Sequence, residues 1–310
     1  MGKITRAVLT GATGMIGATL VQVLLKEGAE VWALVRRSSA RIRNLPKNEK
    51  LHLVDAELNH LDDLMEYMEG LPSKADAFFH LGWEGTYGSS RQDLYLQNRN
   101  VKNTLDAVHL ANKLGCEVFV GAGSQAEYGK CRDRISPNTP TFPETGYGIG
   151  KLCAGQMSRN LCKQLGIRHV WTRILSVYGP MDQEYTMVMS GIYQLLRGER
   201  PVYTKGEQKW DYLYSEDAAR ALYLAGCKGR DQAIYCVGSG MVRPLREYIL
   251  AIRDAVDPKA SIGLGEVPYP EGQVMYLQAD IETLTKDTGF VPEVSFEEGI
   301  QRTVQWCRKR

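Results

Sequence analysis

The stretch Thr10-Gly-Ala-Thr-Gly-Met-Ile-Gly17 decides the fold, because three evenly spaced glycines follow directly after an apolar run. That run, Ile4–Leu9, predicts a strand, and the residues from the glycines to about Glu27 predict a helix. A glycine turn lets the backbone approach a phosphate closely, and the amides at a helix N-terminus attract anions. The stretch therefore predicts a pyrophosphate site for a dinucleotide, formed by Gly11, Thr13, Gly14, Met15, Ile16 and Gly17.

The first half of the chain alternates short apolar strands with helical patterns. Strands that alternate with helices are typical of a parallel sheet covered on both faces, with right-handed crossovers. The sequence therefore predicts an α/β fold, a doubly wound parallel sheet of the Rossmann type with a smaller C-terminal lobe for substrate. The further strands are predicted at 30–35, 51–54, 77–81, 118–122 and 169–174, and long helices at 97–114 and 147–165.

Prolines and glycine-rich turns break the second half of the chain into shorter pieces. The length of 310 residues is compatible with about two domains. We expect residues 1–175 to form the dinucleotide-binding domain, with 211–238 returning to it. Residues 176–210 and 239–310 would then form the smaller lobe.

Composition limits the classes of partner. Lys and Arg number 38 against 36 Asp and Glu, a net charge of +2, which gives no electrostatic reason to expect a nucleic-acid or membrane-surface partner. No apolar run of about 18 residues predicts a transmembrane helix, and the first residues lack a signal-peptide core. The seven cysteines include no Cys-x-x-Cys pair. We therefore expect no metal site, reduced thiols and a cytoplasmic location.

The residues after the second predicted strand bear on the choice of cofactor. NAD-binding proteins of this fold carry an acidic residue about 20 positions after the glycines, where it binds the ribose hydroxyls. Here Arg36, Arg37 and Ser38 stand in that place. A guanidinium can bind a 2′-phosphate through two hydrogen bonds, whereas a carboxylate would repel it. NADP(H) is therefore favoured over NAD(H), although solvated surface charges would give the same pattern.

A tyrosine and a lysine with helical spacing indicate proton transfer. Tyr147 and Lys151 are four residues apart at the start of a predicted helix, so they lie on one face. An ammonium beside a phenol favours phenolate and predicts a lowered pKa for Tyr147. Ser124 follows the fifth predicted strand, at the edge where open α/β sheets bind ligands. The spacing alone is weak evidence among 16 tyrosines, and Ser124 strengthens it.

These motifs together resemble the extended short-chain dehydrogenase/reductase family, the group of nucleotide-sugar epimerases, dehydratases and reductases. The resemblance covers essentially the whole chain. It implies that Ser124, Tyr147 and Lys151 are catalytic and that Lys151 also binds the nicotinamide ribose. The segments that carry it are Thr10–Gly17, Phe78–Trp83, Asn100–Thr104, Gly123–Gly129, Tyr147–Lys151, Arg173–Pro180 and Trp210–Ala221.

The resemblance also implies further contacts with the cofactor. Glu57 and Leu58 stand where family members contact adenine, and Leu81, Gly82 and Trp83 where they line the nicotinamide side. Two positions depart from the family pattern. Glu57 replaces the usual Asp, and Ser176 replaces an Asn that many relatives place against the substrate diphosphate.

The residues after Ser124 bear on which reaction of this group the protein would catalyse. Dehydratases of the group carry Asp-Glu there, but this chain has Gln125 and Ala126, which cannot transfer a proton. We expect an NADPH-dependent reductase of a 4-keto deoxysugar nucleotide, with a nucleotide-sugar 4-epimerase using bound NAD as the alternative. A non-catalytic NADP-binding regulator is less favoured, because such proteins tend to lose the tyrosine or the lysine. The resemblance implies a homodimer formed through the two long helices.

Overall fold

Seven parallel strands form the central sheet. The structure is a computed structural model that describes residues 2–68 and 70–310. In their order across the sheet, the strands are β11 (Ala233–Val237), β6 (Arg168–Ile174), β5 (Val118–Ser124), β4 (Ala77–His80), β1 (Arg6–Thr10), β2 (Glu30–Val35) and β3 (Leu51–Asp55). The predicted doubly wound α/β fold is confirmed.

Helices cover both faces of this sheet. Leu20 and Leu24 of the first helix pack with Leu222 of the sixth on one face, and Val108 of the third packs with Cys162 of the fourth on the other. Both layers bury apolar side chains against the strands, as a parallel sheet requires. The helices are α1 (Met15–Lys26), α2 (Leu61–Tyr67), α3 (Leu94–Lys113), α4 (Gly146–Leu165), α5 (Met187–Leu196), α6 (Ser215–Lys228), α7 (Leu245–Val256), α8 (Glu282–Thr288) and α9 (Phe296–Arg308).

The position of α4 depends on one buried indole. Trp171 of β6 is 2% exposed and lies against the glycine-rich side of α4. A Cβ atom on Gly155 would lie 2.7 Å from the Trp171 ring, and Gly121 and Gly123 of β5 make room for the same ring. Close contacts of this kind let α4 approach the sheet near the end of β5.

The smaller lobe has its own core. Helices α5, α7 and α9 pack around aromatic side chains that include Tyr178, Tyr248 and Phe296. The lobe also carries short strand pairs. The domain boundaries at 175, 211 and 238 stay a prediction, and within the described part of the chain no helix is both long and apolar enough to cross a bilayer. The short strands are β7 (Ser176–Tyr178), β8 (Val202–Tyr203), β9 (Lys209–Trp210), β10 (Tyr212–Tyr214), β12 (Arg243–Pro244) and β13 (Gly263–Leu264).

The order of the strands locates the ligand-binding edge. The chain builds β1, β2 and β3 toward one side of the sheet and then crosses back to place β4 on the other side of β1. In open α/β sheets, ligands bind at the carboxyl ends of the strands beside such a reversal. The carboxyl ends of β1, β4 and β5 therefore meet at one edge of the sheet, where the glycine turn follows β1, Leu81 follows β4 and Ser124 ends β5.

Candidate active site

The glycine turn between β1 and α1 is shaped by backbone contacts that only glycine permits. Gly11 has a φ of +69°, and a Cβ atom on it would lie 2.6 Å from the Gly82 nitrogen. A Cβ atom on Gly17 would collide with the carbonyl oxygen of Gly11. No side chain caps the N-terminus of α1 at Gly14. The first amides of the helix are therefore available to an anion.

A cavity of about 460 Å³ opens at this turn. It extends from the turn past the ends of β2 and β3 to the end of β5 and the start of α4. Its volume and its polar lining residues suit an extended dinucleotide. The sequence-predicted residues that line it are Gly11, Thr13, Gly14, Met15, Ile16, Gly17, Arg36, Glu57, Leu58, Leu81, Gly82, Trp83, Ser124, Tyr147 and Lys151.

Two residues expected at the cofactor, Arg37 and Ser38, do not line this cavity. The Arg37 guanidinium points to Asp55, with Nε 3.3 Å from the carboxylate, and Ser38 is outside the cavity lining. Ser39 and Arg41 line the cavity in their place. The Ser39 hydroxyl accepts a hydrogen bond from the Arg41 backbone N–H and starts the 3-10 turn Ala40–Asn44. Sequence reasoning missed Arg41 because only this turn brings it back toward the cavity.

Ser124, Tyr147 and Lys151 meet in the same cavity. Ser124 ends β5, and Tyr147 and Lys151 lie on the first turns of α4, which Thr145 caps by accepting a hydrogen bond from the Gly148 N–H. The Lys151 ammonium donates to the Ala122 carbonyl at 2.5 Å. It also lies 3.8 Å from the centre of the Trp83 ring, so an aromatic face and a strand carbonyl fix its position.

The protonation of these groups differs from the sequence prediction. Burial raises the pKa of Tyr147 above its usual value, although the Ser124 hydroxyl and the Arg91 guanidinium act in the opposite direction. The Lys151 nitrogen lies 5.9 Å from the centre of the phenol ring, and burial lowers its own pKa to about 7. The prediction that Lys151 lowers the pKa of Tyr147 is therefore wrong for the free protein, because both groups lose their hydration.

A loop of the smaller lobe also reaches the cavity. Asp182 and Gln183 line it, and burial raises the pKa of Asp182 to about 6. The Gln183 side-chain oxygen Oε1 accepts a hydrogen bond of 3.0 Å from the Arg41 guanidinium. Two residues further on, Tyr185 stacks on Tyr87 with ring centroids 3.7 Å apart. No motif marked this loop, since its role depends on how the lobe packs against the sheet.

Ser176 has a partner within the protein. The Trp210 indole N–H donates to its hydroxyl at 2.8 Å. A side chain at this position in many relatives faces the substrate diphosphate, as the sequence resemblance implies. Here the hydroxyl joins β7 to β9 instead.

The residues present fit a nicotinamide dinucleotide. A Cβ atom on Gly11 or Gly17 would collide with neighbouring backbone, so the glycines let this turn close tightly beside the cavity. The helix N-terminus behind it offers amides to the pyrophosphate. At the other end of the cavity, Ser124, Tyr147 and Lys151 offer hydroxyl and ammonium groups to an alcohol or a carbonyl.

Comparisons with known proteins agree with this geometry. Residues 7–238 match the model of the NAD dependent epimerase/dehydratase family. UDP-glucose 4-epimerase of Mycolicibacterium smegmatis is 29% identical over 329 residues, which cover 98% of this chain and 99% of that protein. A dTDP-glucose 4,6-dehydratase of Shigella flexneri is 28% identical over 179 residues, 56% of this chain, so the chain spans about half the length of that relative.

The fold comparison gives the same grouping. The crystal structure of UDP-glucose 4-epimerase with UDP-glucose from Thermotoga maritima superposes with a TM-score of 0.87 at 23% identity, covering 98% of this chain and 99% of that one. At that identity the superposition shows the shared fold. The family model matches well over half of the residues. The chain therefore belongs to the NAD dependent epimerase/dehydratase family, enzymes of the extended short-chain dehydrogenase/reductase type that its motifs resemble.

Proposed function

We propose that the protein is a nucleotide-sugar 4-epimerase, which removes and returns hydrogen at C4 of a sugar linked to a nucleotide. The observation that carries this proposal is the meeting of Ser124, Tyr147 and Lys151 in the cavity that the glycine turn opens. The relative from Mycolicibacterium smegmatis, which aligns over 98% of the chain, is a UDP-glucose 4-epimerase. This reaction was the alternative in the sequence reasoning, and the comparisons support it better than the reductase.

The side chains divide the chemistry among them. A nicotinamide dinucleotide bound in the cavity supplies hydride transfer at the sugar carbon. The Tyr147 phenolate takes the proton from the C4 alcohol as hydride leaves C4, and the phenol formed in this way returns the proton when hydride comes back and the alcohol forms again. The Ser124 hydroxyl binds the same oxygen and holds it beside the phenol. Lys151 binds the ribose of the cofactor and supplies positive charge beside the phenol.

Elimination of water is disfavoured by the residues next to Ser124. Gln125 carries a carboxamide and Ala126 a methyl group, and neither transfers a proton. The Gln125 side-chain oxygen is buried and has no hydrogen-bond partner among the described residues. A 4,6-dehydratase would need a proton-transferring group at that point. We therefore infer that this chain has the fold of its dehydratase relatives, and the oxidation step in common with them, but not the elimination of water.

A reductase that uses NADPH is the second candidate. The observation in its favour is the basic end of β2, where Arg36, Ser39 and Arg41 line the cavity. Two guanidinium groups and a hydroxyl suit the 2′-phosphate of NADP(H). A reductase uses one NADPH in each turnover, whereas an epimerase returns its hydride and has no need to exchange the cofactor.

Two assays separate the candidates. Purified protein is given UDP-glucose and the formation of UDP-galactose is followed by NMR; a parallel sample receives NADPH with a 4-keto sugar nucleotide and the loss of NADPH absorbance is recorded. Epimer formation without NADPH consumption supports the proposal. NADPH consumption without epimer formation overturns it in favour of the reductase. Tyr147→Phe should abolish either activity, while Tyr67→Phe on the exposed surface should not.

The choice of cofactor has its own test. The preference for NADP(H) that the sequence favours belongs to the reductase candidate, and for that candidate we expect Arg36→Ala and Arg41→Ala each to weaken NADP binding about ten- to a hundredfold, with NAD binding unchanged. Arg37→Ala is the matched control, because that side chain pairs with Asp55. Equal losses for NAD and NADP, or a loss in Arg37→Ala alone, would show that the basic end of β2 does not select the phosphate.

We propose a homodimer formed through α3 and α4. Leu94, Tyr95 and Ile149 are more than half exposed on these helices, and Met157 nearly so. Exposed apolar side chains on one helical face are typical of protein interfaces. Sedimentation equilibrium should give twice the mass of one chain for the wild type. Ile149→Glu should lower the measured mass to that of a single chain.

A further inference from the structure

A second basic side chain lies on the phenol ring of Tyr147. The Arg91 guanidinium carbon is 4.3 Å from the centre of that ring, whereas the Lys151 nitrogen is 5.9 Å from it. Arg91 is far from Tyr147 in the chain and belongs to no motif that the sequence offers. The contact therefore exists only in the folded protein.

The turn that carries Arg91 is held against the start of α4. It is the 3-10 helix Gly88–Gln92, and the Arg91 guanidinium donates to the Thr86 carbonyl at 3.1 Å. The Gln92 side chain accepts a hydrogen bond of 3.0 Å from the Gly146 N–H, one residue before Tyr147. A Cβ atom on Gly146 would lie 3.0 Å from the Arg91 carbonyl oxygen, so the turn and the helix touch through their backbones. The backbone of the turn is thus fixed to the start of α4, and the bond to Thr86 holds the guanidinium over the ring.

The charges that face Tyr147 come from three elements. They are Arg91 on this turn, Lys151 on the same helix as Tyr147, and Glu127 on the turn after β5. Because the pKa of Lys151 is lowered to about 7, its ammonium is partly lost near neutral pH. A guanidinium in a protein keeps its charge throughout this range. Arg91 therefore supplies positive charge at the ring when Lys151 does not.

We propose that Arg91 is a positioning residue that orients the Tyr147 ring and stabilises its phenolate during proton transfer. This role rests on the proposed function. In the step concerned, a proton leaves the Tyr147 oxygen for the oxygen of the sugar, one O–H bond breaks as another forms, and the electron pair stays on the phenolate. A cation above the ring attracts the neutral phenol through its quadrupole and the phenolate more strongly through its full charge.

A titration of the phenol tests this directly. The near-ultraviolet absorbance of phenolate is followed with pH in the wild type, Arg91→Gln and Arg91→Lys, each as a difference from the same protein carrying Tyr147→Phe. The midpoint should rise by about one pH unit in Arg91→Gln and stay near the wild-type value in Arg91→Lys. Arg246→Gln, an exposed position on α7, is the control and should leave the midpoint unchanged. The midpoint of the kcat/KM profile should move with the phenol.

Two results would overturn the inference. An unchanged midpoint in Arg91→Gln would mean that the guanidinium does not act on the phenol. An equal rise in Arg91→Lys would mean that packing of the guanidinium, and not its charge, matters. Thermal unfolding of each variant shows whether it is folded. The titration needs no substrate, so it gives its answer even where the proposed sugar reaction fails, and an active enzyme with an unmoved midpoint removes only the role of Arg91.

Discussion

Glu127 and Arg173 form a buried ion pair of 2.6 Å directly behind Ser124, with side chains 1% and 3% exposed. The other carboxylate oxygen of Glu127 accepts hydrogen bonds from the Ser124 backbone N–H at 2.8 Å and from the Trp171 indole at 3.0 Å. One carboxylate thus joins the end of β5, where the site begins, to β6 behind it.

We expect Glu127→Gln to lower the free energy of unfolding by about 3 kcal/mol, because Arg173 then stays buried without its counter-charge. Turnover should fall as well, since the carboxylate that orients the Ser124 backbone is lost. Thermal unfolding and steady-state kinetics check both.

Asp217→Asn is the matched control for this loss. Asp217 has a fully buried side chain and pairs with Arg220, but it lies on α6, away from the cavity lining. It should destabilise the protein with little change in kcat. Equal losses of kcat in the two variants, measured on folded protein, would contradict a specific role for Glu127.

The middle and last glycines of the turn should respond differently to substitution by alanine. At Gly17 a Cβ atom would collide with the Gly11 carbonyl, so Gly17→Ala should lose stability by roughly 1–3 kcal/mol and bind the cofactor poorly. At Gly14 the nearest atom would be 3.6 Å from the new Cβ, and Gly14→Ala should therefore keep its melting temperature. Thermal unfolding and cofactor titration compare the two, and a large loss of stability in Gly14→Ala would contradict this account of the turn.

The buried ammonium of Lys151 predicts how stability changes with pH. Its pKa is lowered to about 7 by burial, whereas an unfolded lysine has a pKa of about 10.4. Between these two pKa values the unfolded chain holds a proton that the folded chain has lost, so the free energy of unfolding rises with pH. The buried ammonium therefore destabilises the folded protein most below about pH 7.

Lys151→Met should therefore be more stable than the wild type at about pH 6, on the order of a few kcal/mol, with a difference that shrinks toward about pH 10. Denaturant unfolding of the cofactor-free proteins at several pH values measures it. A difference that stays constant over this range would show that the lysine keeps its ordinary ionisation in the folded state.

We expect the stacked pair Tyr87 and Tyr185 to slow the release of the cofactor. These rings join the loop after β4 to the lobe loop at Asp182 and Gln183, and Thr86 and Gln183 beside them line the cavity. Tyr185→Ala should speed dissociation of the nicotinamide dinucleotide about three- to tenfold, the effect expected from the loss of one aromatic contact. Tyr185→Phe keeps the ring and should keep the rate. Stopped-flow displacement measures both, and equal rates in all three proteins would show that the pair does not restrain the cofactor.

The sequence by itself determined the features that depend on neighbours along the chain. Glycine spacing, strand runs and the four-residue step from Tyr147 to Lys151 follow from local backbone geometry, and they were enough to predict the doubly wound sheet and the place of Ser124. These signals are local because a strand or helix repeats its side-chain directions over a few residues.

The tertiary structure alone decided which distant side chains meet and what solvent they lose. In the folded chain Arg41, and not Arg37, lines the cavity. The Arg91 guanidinium lies over the Tyr147 ring, and the Ser176 hydroxyl accepts a hydrogen bond from the Trp210 indole. Burial also lowered the pKa of Lys151 and raised that of Tyr147, against the expectation that the neighbouring ammonium lowers the pKa of the phenol. Such contacts and burial depend on how separate segments pack, and packing has no period along the chain that a sequence pattern could display.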